Sequence, residues 1–173
     1  MDVFEAIQGR RSIRSFKKQE LPSGSVEQLL EAARWAPSAG NVQPWEFVVA
    51  TLPQTKKNLS LAAYGQRDVE EASAVIVVCA DEKRAEESYG ERGRTLYCHQ
   101  DTAAAIQNIL LSAHALGLGS CWIGAFKEEQ VRKIINTPKD VKPVAIIPVG
   151  YPDEKPEPRS RRHLSQITHQ ETF

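Results

Sequence analysis

The chain has 173 residues, of which 41% are hydrophobic, and no net formal charge. That length and composition suit one compact domain with its own core, 1–173, and the neutral balance disfavours a generic nucleic-acid binder. The opening MDVFEAIQGRR has no apolar h-region and no stretch nears the about 18 apolar residues of a spanning helix, so neither a signal peptide nor a membrane span is expected.

Residues 2–9 predict a helix: Asp2 caps it, Glu5 follows three later, and Val3, Phe4 and Ile7 share one face. Residues 25–36 predict a stronger one. Ser25 and Gln28 resemble a capping box, Val26, Leu29, Leu30 and Ala33 recur at helical spacing, and Pro37 stops it. Glu46–Thr51 is a strand, and 53–63 a helix with Pro53 in its first turn. Val75–Ala80 is a continuous apolar run, as a strand buried on both faces would be. The charged stretch 81–94 is expected to be an exposed excursion.

Leu96–Leu116 is the longest periodic segment, ended by Gly117 and Gly119. Its alanines, with Ile106, Ile109 and Leu110, make it apolar around most of its circumference. Either a twin helix across a two-fold axis covers it or it is the central helix of a monomer core. Cys121–Phe126 is a short extended piece, Glu128–Ile135 a helix and Val144–Val149 a buried strand. The proline-rich tail 151–173 lacks periodicity yet carries Leu164, Ile167 and Phe173. It predicts a C-terminal arm laid over another surface, or a disordered segment.

Three segments stand out chemically. Arg10-Arg11-Ser12-Ile13-Arg14 offers bidentate phosphate contacts and a hydroxyl donor. A second cluster, Arg159, Arg161 and Arg162, lies at the opposite end, and the two could converge on one doubly charged phosphate; each could also be a solvated basic turn. Pro37-Ser38-Ala39-Gly40-Asn41-Val42-Gln43 combines small residues with amide donors and acceptors, which suits a planar ligand or an ordinary loop. Gly117–Phe126 could cap a helix or lay Ile123, Gly124 and Ala125 along a flat cofactor.

Other chemistries lack their signatures. Cys79, Cys98 and Cys121 form no C-x-x-C pair, and scattered thiols suit a reducing cytoplasm. The four histidines have no metal-ligand spacing, so no metal is expected. A G-x-S-x-G elbow and a G-x-G-x-x-G fingerprint are both missing. A chain without an acid–base set is suited to binding and orienting a cofactor that carries the chemistry.

In order, RRSIRSF, PSAGNVQPWEFVV and GLGSCWIGAF resemble the nitroreductase family of FMN enzymes, over essentially the whole chain. The resemblance implies an α+β fold, a mixed β-sheet flanked by helices in a nitroreductase-like sandwich, built as an intertwined dimer. It implies that Arg10, Arg11, Ser12 and Arg14 hold the flavin phosphate and reach the pyrimidine edge, where Arg14 stabilises reduced flavin. Pro37, Ser38, Asn41 and Gln43 would reach the flavin from the other subunit. Ile123, Gly124 and Ala125 would lie along one flavin face, and Arg159 and Arg161 would complete the phosphate site, with Arg162 as a competing register. Gln66 and Arg67 stand where some larger relatives place an Asn and a Lys, and His163 stands before Leu164 where many relatives have proline.

The implied activity is a cytoplasmic NAD(P)H-dependent flavin oxidoreductase. It would pass a hydride from NADH or NADPH through flavin N5 to a small acceptor such as a nitroaromatic or quinone, by a ping-pong scheme. The alternatives are a flavin-binding module without turnover, a reductive dehalogenase or flavin-cleaving enzyme on the same fold, and, on the Arg clusters alone, a small RNA-binding domain.

Overall fold

The computed structural model describes all 173 residues. Helix α1 (Val3–Gly9) carries the expected capping box: Asp2 accepts from the Phe4 and Glu5 amides, and Glu5 accepts from the Asp2 amide. Its apolar face finds no cover within the protomer. Val3, Phe4 and Ile7 are all more than half exposed, and only Ala6 is buried. Helix α2 (Ser25–Arg34) starts one residue after Gly24, which caps it with a left-handed φ of 84°. The expected Ser25 box does not form because Ser25 is already inside the helix.

Next come β1 (Trp45–Ala50), α3 (Pro53–Ala62), α4 (Arg67–Glu71) and β2 (Ala74–Asp81). The five-residue α4 is too short for periodicity to reveal. The charged stretch 81–94 is exposed over most of its length, as expected, but it is helical: α5 (Glu82–Arg92) kinks at Tyr89 and Gly90, and a π-turn over Gly93–Tyr97 leads into α6 (Cys98–Ala115). The chain closes with β3 (Gly119–Ser120), α7 (Glu128–Ile135), β4 (Val141–Gly150) and the tail.

The four strands pair in the order β1-β2-β4-β3, every ladder antiparallel, and the parallel component is a single bridge between Ser12 and Ser120. A register shift between Val78 and Cys79 lies opposite Pro143, which lacks the amide a regular ladder needs. Strand β2 serves two cores by alternation. Val75, Val77 and Cys79 pack with Leu59, Val69 and Val131 on the side of α3, α4 and α7. Ile76 and Val78 pack with Leu29, Ile106 and Ile109 on the side of α2 and α6. Both faces are covered, which explains the unbroken apolar run.

Helix α6 buries Thr102, Ala105, Ile106, Ile109, Leu110 and Ala113 in the protomer core, while Ala103, Ala104, Gln107, Asn108, Leu111 and Ser112 on its other side are only half-buried. No helix is long and apolar enough to cross a membrane.

Candidate functional site

The segment after α1 is drawn onto the sheet edge. The Ile13 amide donates to the Ser120 carbonyl at 3.0 Å, and Ile13 is buried beside Cys121 and Ile123. Further on, Phe16 bridges Pro152, the Lys17 amide donates to the Tyr151 carbonyl at 2.9 Å, and the Asp153 amide donates to the Ser15 carbonyl at 2.9 Å. Glu154 accepts from the backbone amides of Arg14 and Ser15. The tail thus follows the N-terminal motif, and the two arginine clusters meet.

They meet around a cleft of about 640 Å³ lined by Arg10, Arg11, Ser12 and Arg14 from one end of the chain and Arg159 and Arg161 from the other. None of these arginines has a carboxylate within ion-pairing distance. Arg10 Nε is buried without any hydrogen-bond partner. Five guanidinium groups share the cleft with a single carboxylate, Glu157, that ion-pairs with none of them, so they repel one another, and an orphaned buried donor is costly. An oxyanion with several acceptor oxygens relieves both. Arg162 does not line this cleft; its Nη2 donates to the Gln166 carbonyl at 2.7 Å.

Beside the cleft runs the Ile123–Ala125 stretch. Ile123 is buried and bridged to Ile146, whereas Gly124 and Ala125 are exposed. A Cβ on Gly124 would meet nothing within 4 Å, so a planar group has room there. Gln66 Nε2 donates to the carbonyls of Ala63 at 2.9 Å and Ala125 at 3.2 Å, so the side chain ties the stretch to the turn before α4. Arg67 points elsewhere and pairs with Glu71 at 2.7 Å.

The third segment lies apart. Pro37, Ser38, Asn41 and Gln43 do not line the arginine cleft of their own protomer. Their loop is nevertheless strongly constrained. Gly40, Asn41 and Gln43 all adopt left-handed φ values, of 54°, 57° and 53°. Ser38 Oγ accepts from the Gln43 amide at 3.0 Å, and the Gln43 side chain reaches Asn41 at 3.3 Å. Helices α5 and α6 clamp the loop: Asp101 accepts from the Ala39 amide at 3.1 Å, and Arg84 Nε donates to the Val42 carbonyl at 2.7 Å. Left-handed backbone at two non-glycine residues is costly and persists where surroundings impose it, often at ligand sites.

Sequence reasoning missed Asp101, Arg84 and Glu154. Asp101 had a signal, an acid in an otherwise apolar helix, while Arg84 and Glu154 had none. The thiols are sequestered: burial pushes Cys79 up to about 12 and Cys98 up to about 11, and raises Cys121. A buried, protonated thiol is a poor nucleophile.

Comparison with known proteins agrees with this layout. The Nitroreductase family profile matches residues 7–88 and 60–151. A Methanothermobacter thermautotrophicus protein described as an NADH dehydrogenase/NAD(P)H nitroreductase is 38% identical over 164 residues, 92% of this chain and 82% of that one. A crystal structure from Parabacteroides distasonis under the same description superposes with a TM-score of 0.87 at 29% identity, covering 98% of both chains. The NADPH:FMN oxidoreductase of Vibrio harveyi, solved with NAD+, gives a TM-score of 0.90 at 26% identity over 98% of this chain and 77% of that one.

Proposed function

The chain belongs to the nitroreductase family, and from that premise we propose that it carries electrons from NAD(P)H to a small nitroaromatic or quinone acceptor, through FMN seated between two copies of the chain. It is an NAD(P)H-dependent flavin oxidoreductase with FMN as its cofactor. The observation that carries the reading is the cleft where five unpaired arginines from both ends of the chain converge around the buried, orphaned Arg10 Nε.

The residues fit FMN. Arg10, Arg11, Ser12, Arg159 and Arg161 would hold its phosphate, and Arg14 would face the pyrimidine edge. Ile123, Gly124 and Ala125, tied down by Gln66, would back one ring face. When bound, FMN supplies the two-electron chemistry, taking a hydride from the nicotinamide and passing the electrons on. The protein orients that chemistry and supplies fixed positive charge where negative charge grows.

Two observations support the shared site. The loop carrying Pro37, Ser38, Asn41 and Gln43 is rigidly held but away from its own arginine cleft, as a group serving a partner would be. Large apolar residues also stand exposed: Val3, Phe4 and Ile7 on α1, Trp35 after α2, and Leu164, Ile167 and Phe173 on the tail. Exposed apolar surface of this extent marks an interface. The tail from 157 onward is exposed throughout, as an arm awaiting a second surface would be.

The absorbance spectrum of the purified protein, before and after anaerobic NAD(P)H, tests the reading. Flavin bands that bleach on addition and return with a quinone are expected. Bands that do not bleach would leave a binding module without turnover. Initial rates with NAD(P)H and quinone varied together should give parallel double-reciprocal lines, and intersecting lines would rule out alternating use of one flavin face.

A further inference from the structure

Asp68 is a buried acid for which the mechanism above has no use. It is 4% exposed, and its Oδ2 has no hydrogen-bond partner. Such an oxygen is costly unless nearby charge compensates it. Asp68 is the second residue of α4, and its neighbour Val69 packs in one buried cluster with Ile13, Cys121 and Ile123. Ile13 directly precedes Arg14, and Ile123 begins the stretch that Gln66, two residues before Asp68, ties down through Ala125. Helix α4 therefore packs the residue next to Asp68 into the same buried cluster as the residue before Arg14 and the first residue of the expected flavin-facing stretch.

The electrostatics follow this placement. Burial raises the Asp68 pKa, while the Val69 amide and the Arg14 guanidinium pull it down, and Glu71 adds repulsion. Behind burial as the main effect, Arg14 and Asp68 act in opposite senses on the Cys121 thiol as well. Arg14 has no carboxylate at contact distance, so the coupling acts across a gap in a poorly screened interior.

We propose that Asp68 is a positioning residue that, from its buried seat in α4, offsets part of the Arg14 guanidinium's charge and thereby sets the reduction potential of the bound flavin. This rests on the placement of Arg14 at the pyrimidine edge. The couple takes up the two electrons and one proton of a hydride from NAD(P)H, leaving oxidised nicotinamide. A cation at that edge favours the more negative, reduced cofactor, and a carboxylate coupled to the cation opposes it. The neutral isostere Asp68→Asn leaves the full charge of Arg14 facing the cofactor.

Anaerobic dye-coupled potentiometry on FMN-loaded wild type, Asp68→Asn, Arg14→Gln and the double variant tests this. Asp68→Asn should raise the potential. The reduced-to-oxidised ratio at fixed poise should rise about threefold to tenfold, up to about 30 mV for a two-electron couple. The increment should shrink in the Arg14→Gln background, because without that cation the buried Asp68 holds its proton more strongly. An unmoved potential with FMN bound overturns the proposal, as does an equal shift without Arg14. A wild type that binds no FMN removes the underlying site reading instead. If Asp68→Asn does not fold, carbon-13 titration of the Asp68 carboxyl provides the test. Its pKa should rise in Arg14→Gln apoprotein, and an unchanged titration overturns the coupling.

Discussion

At the residue scale the decisive groups are cations held without an ion-paired carboxylate. Arg10 sits half-buried with an orphaned Nε, so it is preorganised for an oxyanion. Replacing it with Ala should remove a charge-assisted contact of about 1.5–3 kcal/mol, or roughly 10- to 100-fold in FMN affinity. Riboflavin, which lacks the phosphate, should bind far more weakly than FMN, and equal affinities in a fluorescence titration would contradict a phosphate site. His114 makes a second prediction. Its ring packs so close to Gly9 that a Cβ there would come within 2.5 Å of Nε2. Burial, then Arg11 and Arg10, lower its pKa below the ordinary 6.5. A depressed folded-state pKa means that the unfolded chain binds the proton more readily. The stability His114 contributes is therefore present above about pH 6.5 and lost as pH falls through the lowered value. Asp68 and Asp101, raised chiefly by burial, act in the opposite sense as pH rises through their folded-state pKa values. Comparing His114→Gln with wild type isolates the histidine. Thermal midpoints followed from pH 7.5 down to pH 5 should fall less steeply in the variant, and identical slopes would refute the assignment.

At the element scale the kinked α5 and its π-turn explain why the charged stretch is ordered. Gly93 packs against the Ala85 carbonyl so tightly that a side chain would collide with backbone. That contact holds Tyr89 and Tyr97 edge to face at 5.4 Å, and Arg92 Nε donates to the Tyr97 hydroxyl at 2.9 Å. The Tyr89 hydroxyl in turn abuts Gly40, where the positive φ and the missing Cβ are both required. The excursion is thus a buttress for the loop carrying Ser38, Asn41 and Gln43. Gly93→Ala should cost about 1–3 kcal/mol by overpacking and loosen that loop. A lowered thermal midpoint together with weaker FMN binding is expected; a lowered midpoint with unchanged binding would separate α5 from the flavin loop.

At the scale of the whole molecule the unfilled requirements point outward. Within one protomer α6 is half-buried along one side, and the apolar residues of α1 and of the tail are exposed. Burying such surface between two copies would complete both the core and the flavin site at once. Dilution to monomer should therefore release FMN, because the Pro37–Gln43 loop of each site would leave with the partner. Sedimentation at falling concentration, with flavin absorbance followed in the same cell, checks this. A flavin-loaded monomer would refute the shared site while leaving the oxidoreductase assignment standing.

Much of this was legible in the chain itself because it is local. The capping box at Asp2 and Glu5, the unbroken apolar run of β2, the end points of α7 and the three flavin-type motifs depend on residues within a few positions of one another. Short or strained pieces were not legible: α4 is too brief to show a period, and the turn after the α5 kink depends on the close approach of Gly93 to the Ala85 carbonyl. Long-range convergence was likewise a tertiary matter. Two arginine clusters in a neutral chain suggested one phosphate, but closing the sheet and pairing Phe16 with Pro152 brought them together. The same holds for the burial of Asp68 and for the bare apolar face of α1. A sequence specifies which side chains are apolar or charged along each element, but the burial and field of each depend on which elements pack beside it.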